Sequence, residues 1–373
     1  MNDPDLQISK VMLAQCRMPL PRPVRLGAVA ITTRDYVVMR VVAANGIYGD
    51  AIGYPRGTPL QQIAAGMAGE ALSTRLGQRR ETVAGMLARR VNARSSFIRA
   101  ASLFDIALTD LEAKSAGASW GALQGGDRTR TPLMAVAGYY LDERTIEDVA
   151  REVGDLLDAG YARVKIMLRG DDLDFDRRYV AACAKVADGR LAADAHWSFS
   201  SLPEAQNYLR PLDDLGLVFL EDPFGAHLNS QLASLQDDLS TALAAGEDMP
   251  DEYSLAGLAD AIGVIRIDAT TCGGLTPALD VARQVGRTGC RILPHIFAPI
   301  HAQLAAVSLD VEMIETIPDA VGADPLNLLL DRTPRIAGGV LDIDQEPGAG
   351  LSLNWEAVAA AAAHSIEIIQ QQG

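Results

Sequence analysis

Three short apolar runs decide the fold: LAAD (191–194), LVFLE (217–221) and ALAAGE (242–247), each closing on a carboxylate. VIRID (264–268) and CRILPH (290–295) follow, closing on Asp268 and His295. The terminal residues recur at close to one strand-plus-helix interval, and parallel strands need a crossover of about a dozen residues or more, usually helical. In a parallel barrel the C-terminal strand ends share one mouth, so side chains placed there converge. Asp194, Glu221 and Glu247 would then meet in an oxygen-rich site, which suits Mg²⁺ better than zinc. One acid at a strand end or helix start is ordinary. Three in register, followed by an aspartate and a histidine, are not.

The same alternation extends both ways. PLMAVAGYY (132–140) precedes a helix expected over 144–158, and YARVKIML (161–168) one over 174–187. Helices over 202–214, 229–237, 251–261, 275–288 and 299–308 follow the next five runs, and VEMIET (311–316) is the last strand. Eight strands, most followed by a helix, match a (β/α)₈-type barrel. An open doubly wound sheet would need a reversal of strand order and usually a phosphate loop, and the chain has no GxGxxG or Walker sequence. Gly273 and Gly274 read as a tight turn after strand six.

Upstream, residues 24–53 alternate apolar and polar, with the Asn45-Gly46 pair marking a hairpin. Helices are expected over 61–76, 80–90 and 96–116, giving an α+β module of strands followed by helices. GASWGALQGGDRTRTP (117–132) reads as a linker. Residues 323–353 have no helical period and read as a return crossing to the first module, and the Ala-rich tail 355–370 as a further helix. The expected organisation is an α+β capping domain (1–128), a modified (β/α)₈ TIM-type barrel (129–322) and a C-terminal segment (323–373) returning to the cap. A chain of 373 residues is long enough for one large unit and a smaller one.

A formal net charge of -15 argues against a nucleic-acid or anionic-membrane partner. It does not exclude a small anionic substrate, because a metal ion and one lysine reverse the local field. Cys16, Cys183, Cys272 and Cys290 show no metal-type spacing and are expected to be reduced thiols. No apolar run is long enough to span a bilayer, and residues 1–15 lack the basic-then-apolar order of a signal peptide. A cytoplasmic location is the expectation.

Several motifs together resemble the enolase superfamily, in its mandelate racemase-like (mandelate racemase/muconate lactonizing enzyme) subgroup. They are TTRDYVVMRV (32–41), ASLFDIALTDLEAKSAG (101–117), VKIM (164–167), DAH (194–196), LEDP (220–223), AGED (245–248), IDATTCGGLTP (267–277), LPHIFAPIHAQLAA (293–306) and MIET (313–316). The resemblance covers nearly the whole chain. It implies one Mg²⁺ ion per chain held by Asp194, Glu221 and Glu247, a small carboxylate substrate and a homo-oligomeric assembly. Enzymes of this superfamily use a Lys or His base, with Mg²⁺ stabilising an enediolate.

The residues fit that chemistry. A proton beside a carboxylate is weakly acidic, since its loss puts a second negative charge next to the first. A divalent cation offsets that charge, and Lys165 can add a second positive contact. Asp268 and His295 close neighbouring strands, which lie about 4.8 Å apart, so Asp268 can orient the imidazole as a general base. Glu315, closing strand eight, matches a family position that hydrogen-bonds the substrate carboxylate or supplies a proton to it. Two departures from the family pattern narrow the reaction. Racemases of this kind carry Lys-x-Lys on strand two, whereas this chain has Lys165-Ile166-Met167, and a thioether moves no proton. Many relatives place Asn two residues after the first metal ligand; here His196 stands there, on the same face as Asp194. That pattern resembles some acid-sugar dehydratases, where the histidine protonates the leaving hydroxyl.

The expected activity is therefore dehydration of a sugar acid, with racemisation, epimerisation or lactone cycloisomerisation as the alternative and a non-catalytic metal-binding barrel behind both. Tyr54 and Arg56 in the cap loop, with Tyr139 and Tyr140 at the end of strand one, are the candidate substrate contacts. An arginine at position 56 would suit a second carboxylate. His301 is expected in the seventh helix facing the barrel wall, His227 in a loop and His364 in the tail.

Overall fold

The computed structural model describes residues 6–26 and 29–370; residues 27 and 28, within the stretch expected to alternate, and the first five residues lie outside the described residues. Two sheets organise the chain. β1 (Ile8–Leu26), β2 (Val29–Ala43) and β3 (Tyr48–Gly53) form an antiparallel meander. The turn between β2 and β3 carries Asn45-Gly46, with Gly46 at φ 86° and the Asn45 side chain accepting from the Ile47 amide at 3.1 Å. Helices α1 (Leu60–Leu72), α2 (Arg79–Ala88), α3 (Arg94–Ala116) and the single turn α4 (Trp120–Leu123) follow. α3 lies against β3 so closely that a Cβ on Gly49 would sit 1.9 Å from the Ala107 carbonyl oxygen, a contact only glycine permits.

The second sheet is the barrel. β4 (Arg130–Ala137), α5 (Ile146–Asp158), β5 (Arg163–Met167), α6 (Leu173–Ala187), β6 (Leu191–Asp194) and α7 (Leu202–Asp213) open it. β7 (Leu220–Glu221), α8 (Leu232–Asp238), β8 (Leu243–Ala245), α9 (Glu252–Leu258), β9 (Val264–Ile265) and α10 (Leu275–Val285) continue it. β10 (Arg291–Ile292), α11 (Ala298–Val307) and β11 (Ile314–Thr316) complete it. All neighbours from β4 to β10 pair in parallel, and β11 pairs with β4. A parallel bridge from Ile292 to Val311 joins the last two strands and closes the ring. Short 3₁₀ turns, not an α-helix, follow β11. The fold is a modified (β/α)₈ barrel with an N-terminal cap.

The barrel floor explains how the mouth is built. Met134, Ala192, Phe219, Ala244, Val264, Leu293 and Met313 form one buried cluster inside the ring. Side chains two residues apart on a strand share a face. Asp194, Glu221, Arg266, His295 and Glu315 each stand two residues beyond a member of that cluster, so the plug that fills the barrel also aims these groups at the mouth. Strand five breaks the rule. Glu247 is three residues beyond Ala244, and Gly246 between them adopts φ 130°, where an added Cβ would meet Leu255 at 2.8 Å. That kink turns Glu247 inward.

The structure corrects two expectations outside the barrel. The stretch 8–23, given no element in the sequence reading, joins residues 24–26 of the alternating run in β1; Pro19, Pro21 and Pro23 mask its pattern, and the pairing with β2 shifts register between Pro19 and Val24. The tail is helical only in α12 (Trp355–Ala361) and then becomes β14 (Ala362–Ile369), which pairs antiparallel with β1. Ile366, Ile368 and Ile369 suit a strand better than a helix, and β1 offers an open edge. Between them, β12 (Arg335–Ala337) and β13 (Val340–Asp342) form a hairpin laid on β4.

Candidate active site

The strand ends bring Lys165, Asp194, Glu221, Glu247, Asp268, His295 and Glu315 together, all buried. Lys165 is the hub: its Nζ lies 2.9 Å from Asp194 Oδ2, 2.9 Å from Glu221 Oε2 and 2.8 Å from Glu315 Oε2. Burial alone would lower its pKa, yet these three acids hold it well above the usual lysine value. Its ammonium stays charged.

Sequence reasoning passed over the second hub. Arg266 is fully buried; its Nε donates to Glu221 Oε1 at 2.8 Å, its Nη1 to the Leu293 carbonyl at 2.9 Å, and its Nη2 to Glu315. The signal was present, because a charged residue inside an apolar run such as VIRID must have a partner in the core. Together Lys165 and Arg266 hold the Glu315 carboxyl down to about 2 against the raising effect of burial.

The histidine dyad is in place. His295 Nδ1 is 3.0 Å from Asp268 Oδ2, leaving Nε2 to face the acids, 3.2 Å from Glu247 Oε2. Burial lowers the His295 pKa, but Glu247 and Asp268 outweigh it and the net shift is upward. Asp268 is also held by the Thr270 amide at 2.7 Å. His301 was expected merely to face the barrel wall. It is fully buried, accepts the Ala269 amide at Nε2 (2.9 Å) and meets the Ile296 carbonyl at Nδ1 (2.6 Å). One ring thus ties the turn after Asp268 to the turn after His295.

His196 sits in left-handed backbone (φ 45°) just past β6, its Nδ1 3.1 Å from Asp194 Oδ1 but out of line for a hydrogen bond. Its ring packs edge-on against Trp197 and lines the cavity. Met167, paired in register with Asp194, lines the same cavity from the strand-two side.

The acids on strands four and five suit a hard divalent cation. Oxygens of Glu221, Asp222 and Glu247 lie within 4.8 Å of one another. Asp194, expected in that set, is adjacent in register to Glu221, but its oxygens turn toward Lys165 and His196. Asp222, which the sequence reading left out, has φ 43° and accepts from Trp197 Nε1 at 3.1 Å. Burial, with Glu247 and Glu221 beside it, pushes the Asp222 carboxyl well above its ordinary value. Burial likewise lifts Glu221 to about 7 despite Arg266 and Lys165. Buried acids this crowded are favourably placed to share a divalent cation.

The cap closes the cavity. Tyr54, Arg56 and Tyr139 line it. Tyr140, proposed from sequence as a contact, does not: its backbone turns to φ 62° and its ring lies 4.1 Å from the Arg22 guanidinium. Arg56 meets Glu247 Oε1 at 2.7 Å and lies 3.6 Å from Asp248, so its charge is already matched. Tyr54 is stacked on Tyr36 (centroids 5.3 Å apart) and tilted against Phe297 (4.9 Å), and its hydroxyl has no partner among the described residues.

Comparison with known proteins agrees with this geometry. Residues 8–125 match the mandelate racemase/muconate lactonizing enzyme N-terminal domain, and residues 148–358 the enolase C-terminal domain-like model. The chain is similar to an L-Lys-D/L-Arg epimerase of Methylococcus capsulatus, at 26% identity over 80% of this chain and 87% of that protein. It is similar to muconate cycloisomerase 1 of Rhodococcus opacus, at 25% identity over 95% and 98% of the two chains. The L-talarate dehydratase of Polaromonas sp. JS666, solved with Mg and L-glucarate, superposes with a TM-score of 0.86 at 23% identity over 98% of this chain and 100% of that one.

Proposed function

The chain belongs to the mandelate racemase/muconate lactonizing enzyme family of the enolase superfamily, and from that premise we propose that it is a Mg²⁺-dependent acid-sugar dehydratase. Glu221 and Glu247, with Asp194 or its neighbour Asp222, are the residues to hold the ion. When bound, Mg²⁺ supplies Lewis-acid stabilisation of the charge that builds on the substrate carboxylate. Lys165, kept protonated by its acids, adds a positive contact to the same oxygens. His295 removes the α-proton at Nε2, with Asp268 fixing the ring through Nδ1 and stabilising the imidazolium that results. His196 gives its proton to the departing β-hydroxyl, the C–O bond breaks, and water leaves. The enol that remains ketonises to a 2-keto-3-deoxy acid.

The observation that carries this reading is the pair of imidazoles on strands three and seven, with Met167 where a second strand-two base would stand. One base and one acid suit elimination; two opposed bases suit racemisation. The test is a library of sugar acids incubated with the purified protein and Mg²⁺. A semicarbazide-reactive 2-keto acid from one member is the expected result. Epimerisation or cycloisomerisation is the second reading, favoured by the similarity to an epimerase and to D-galactarolactone cycloisomerase of Agrobacterium fabrum. Product formed without loss of water would establish it instead.

A further inference from the structure

The cations around this cavity are not equivalent. Lys165 and Arg266 are surrounded by carboxylates, and Arg56 is matched by Glu247 and Asp248. Arg34, on β2 of the cap, lines the same cavity and makes no ion pair among the described residues. Its Nε donates to the Ala323 carbonyl at 3.0 Å, which fixes the guanidinium plane. Asp324, beside that anchor, acts on Arg34 through its charge but makes no ion pair with it, and its carboxylate accepts from the Tyr36 hydroxyl. The Tyr54 ring lies 5.7 Å from Arg34 Cζ, and the unpartnered Tyr54 hydroxyl borders the same space.

We infer that Arg34 is a specificity-determining residue that receives a second carboxylate at the far end of the substrate, making the preferred substrate a sugar diacid. The inference rests on the proposed α-proton abstraction from a carboxylate at the Lys165 end. A guanidinium anchored through Nε leaves its Nη atoms to bind a carboxylate, and such charge-assisted contacts are about twice as strong as neutral ones. A substrate ending in a neutral hydroxymethyl would leave those Nη donors without a carboxylate to bind in a largely enclosed site. The position that sequence alone suggested for this contact, Arg56, is paired with Glu247 and Asp248; Arg34 makes no such pair among the described residues, and the role falls to it.

The experiment compares aldaric acids with aldonic acids of matching configuration, following α-proton loss into D₂O by NMR with Mg²⁺ present. Wild type should favour the diacid in kcat/KM. Arg34→Met and Arg34→Gln should each reduce that preference by about 10²-fold, mainly through KM, and Arg34→Lys should restore part of it. Retention of the wild-type Mg²⁺ affinity and far-UV circular dichroism spectrum establishes that the variants are folded. Equal losses on both substrate classes, or a wild-type preference for the monoacid, overturns the assignment while leaving the proposed function standing. If wild type exchanges no α-proton from any acid, the proposed function fails, and this inference with it.

Discussion

The barrel rim and the cap face look into one cavity but are built on different principles. On the rim, five groups stand at a fixed offset from a core residue: Ala192 below Asp194, Phe219 below Glu221, Val264 below Arg266, Leu293 below His295 and Met313 below Glu315. On the cap, Tyr54, Arg34 and Arg56 reach the cavity from one strand and the loop after another, supported by aromatic contacts with Tyr36 and Phe297. The rim therefore cannot lose a group without disturbing buried charge, whereas the cap can exchange side chains at small structural cost. Under the proposed function, such a division gives the reaction to the rim and the choice of substrate to the cap.

The comparison can be broken or sharpened by substitution. Glu221→Ala should abolish turnover on every substrate and weaken Mg²⁺ binding by calorimetry; a fully active variant would remove the acid cluster from the chemistry. His295→Asn should leave Mg²⁺ binding intact and reduce turnover by about 10²–10⁴-fold or more. Arg266→Met leaves Glu221 and Glu315 without their buried partner, and chemical denaturation should show a loss of about 3–5 kcal/mol. On the cap, Tyr54→Phe removes one hydroxyl contact worth about 0.5–1.5 kcal/mol, seen as a modest rise in KM with kcat nearly unchanged.

The smallest effect is one of pH. Burial would raise the Asp268 carboxyl, but its bond to His295 and the nearby His301 hold it at about 2, below the ordinary 3.8. A depressed carboxyl stabilises the fold above its ordinary value, and that contribution is lost as pH falls from about 4 through about 2. Asp268→Asn should remove this part of the acid-unfolding curve, measured by circular dichroism.

The same contrast explains what could be read from the chain. Asp194, Glu221, Asp268 and His295 were legible because a period-two pattern inside short apolar runs fixes direction without any knowledge of the partners, whereas Glu247 was legible only as a strand end, its direction being set by the kink at Gly246. Arg266 was legible in principle, as a charge inside such a run. Asp222 and His301 were not, since their positions depend on positive-φ turns after the strands, at Asp222 itself and at Ile296 and Phe297. Arg34 shows the limit most plainly. Whether it faces the cavity depends on how a distant sheet lies over the barrel, and no local pattern encodes that, whereas Tyr140 is turned aside by its own positive φ. β14 escaped for a related reason: its place is set by pairing with β1 across almost the entire chain.

The most direct test of the account is α-proton exchange into D₂O, followed by NMR on an active sugar acid with Mg²⁺, for wild type, His295→Asn and His196→Asn. The account predicts rapid wash-out in wild type, none above background in His295→Asn, and continued wash-out without 2-keto acid in His196→Asn. Exchange at the wild-type rate in His295→Asn would contradict it.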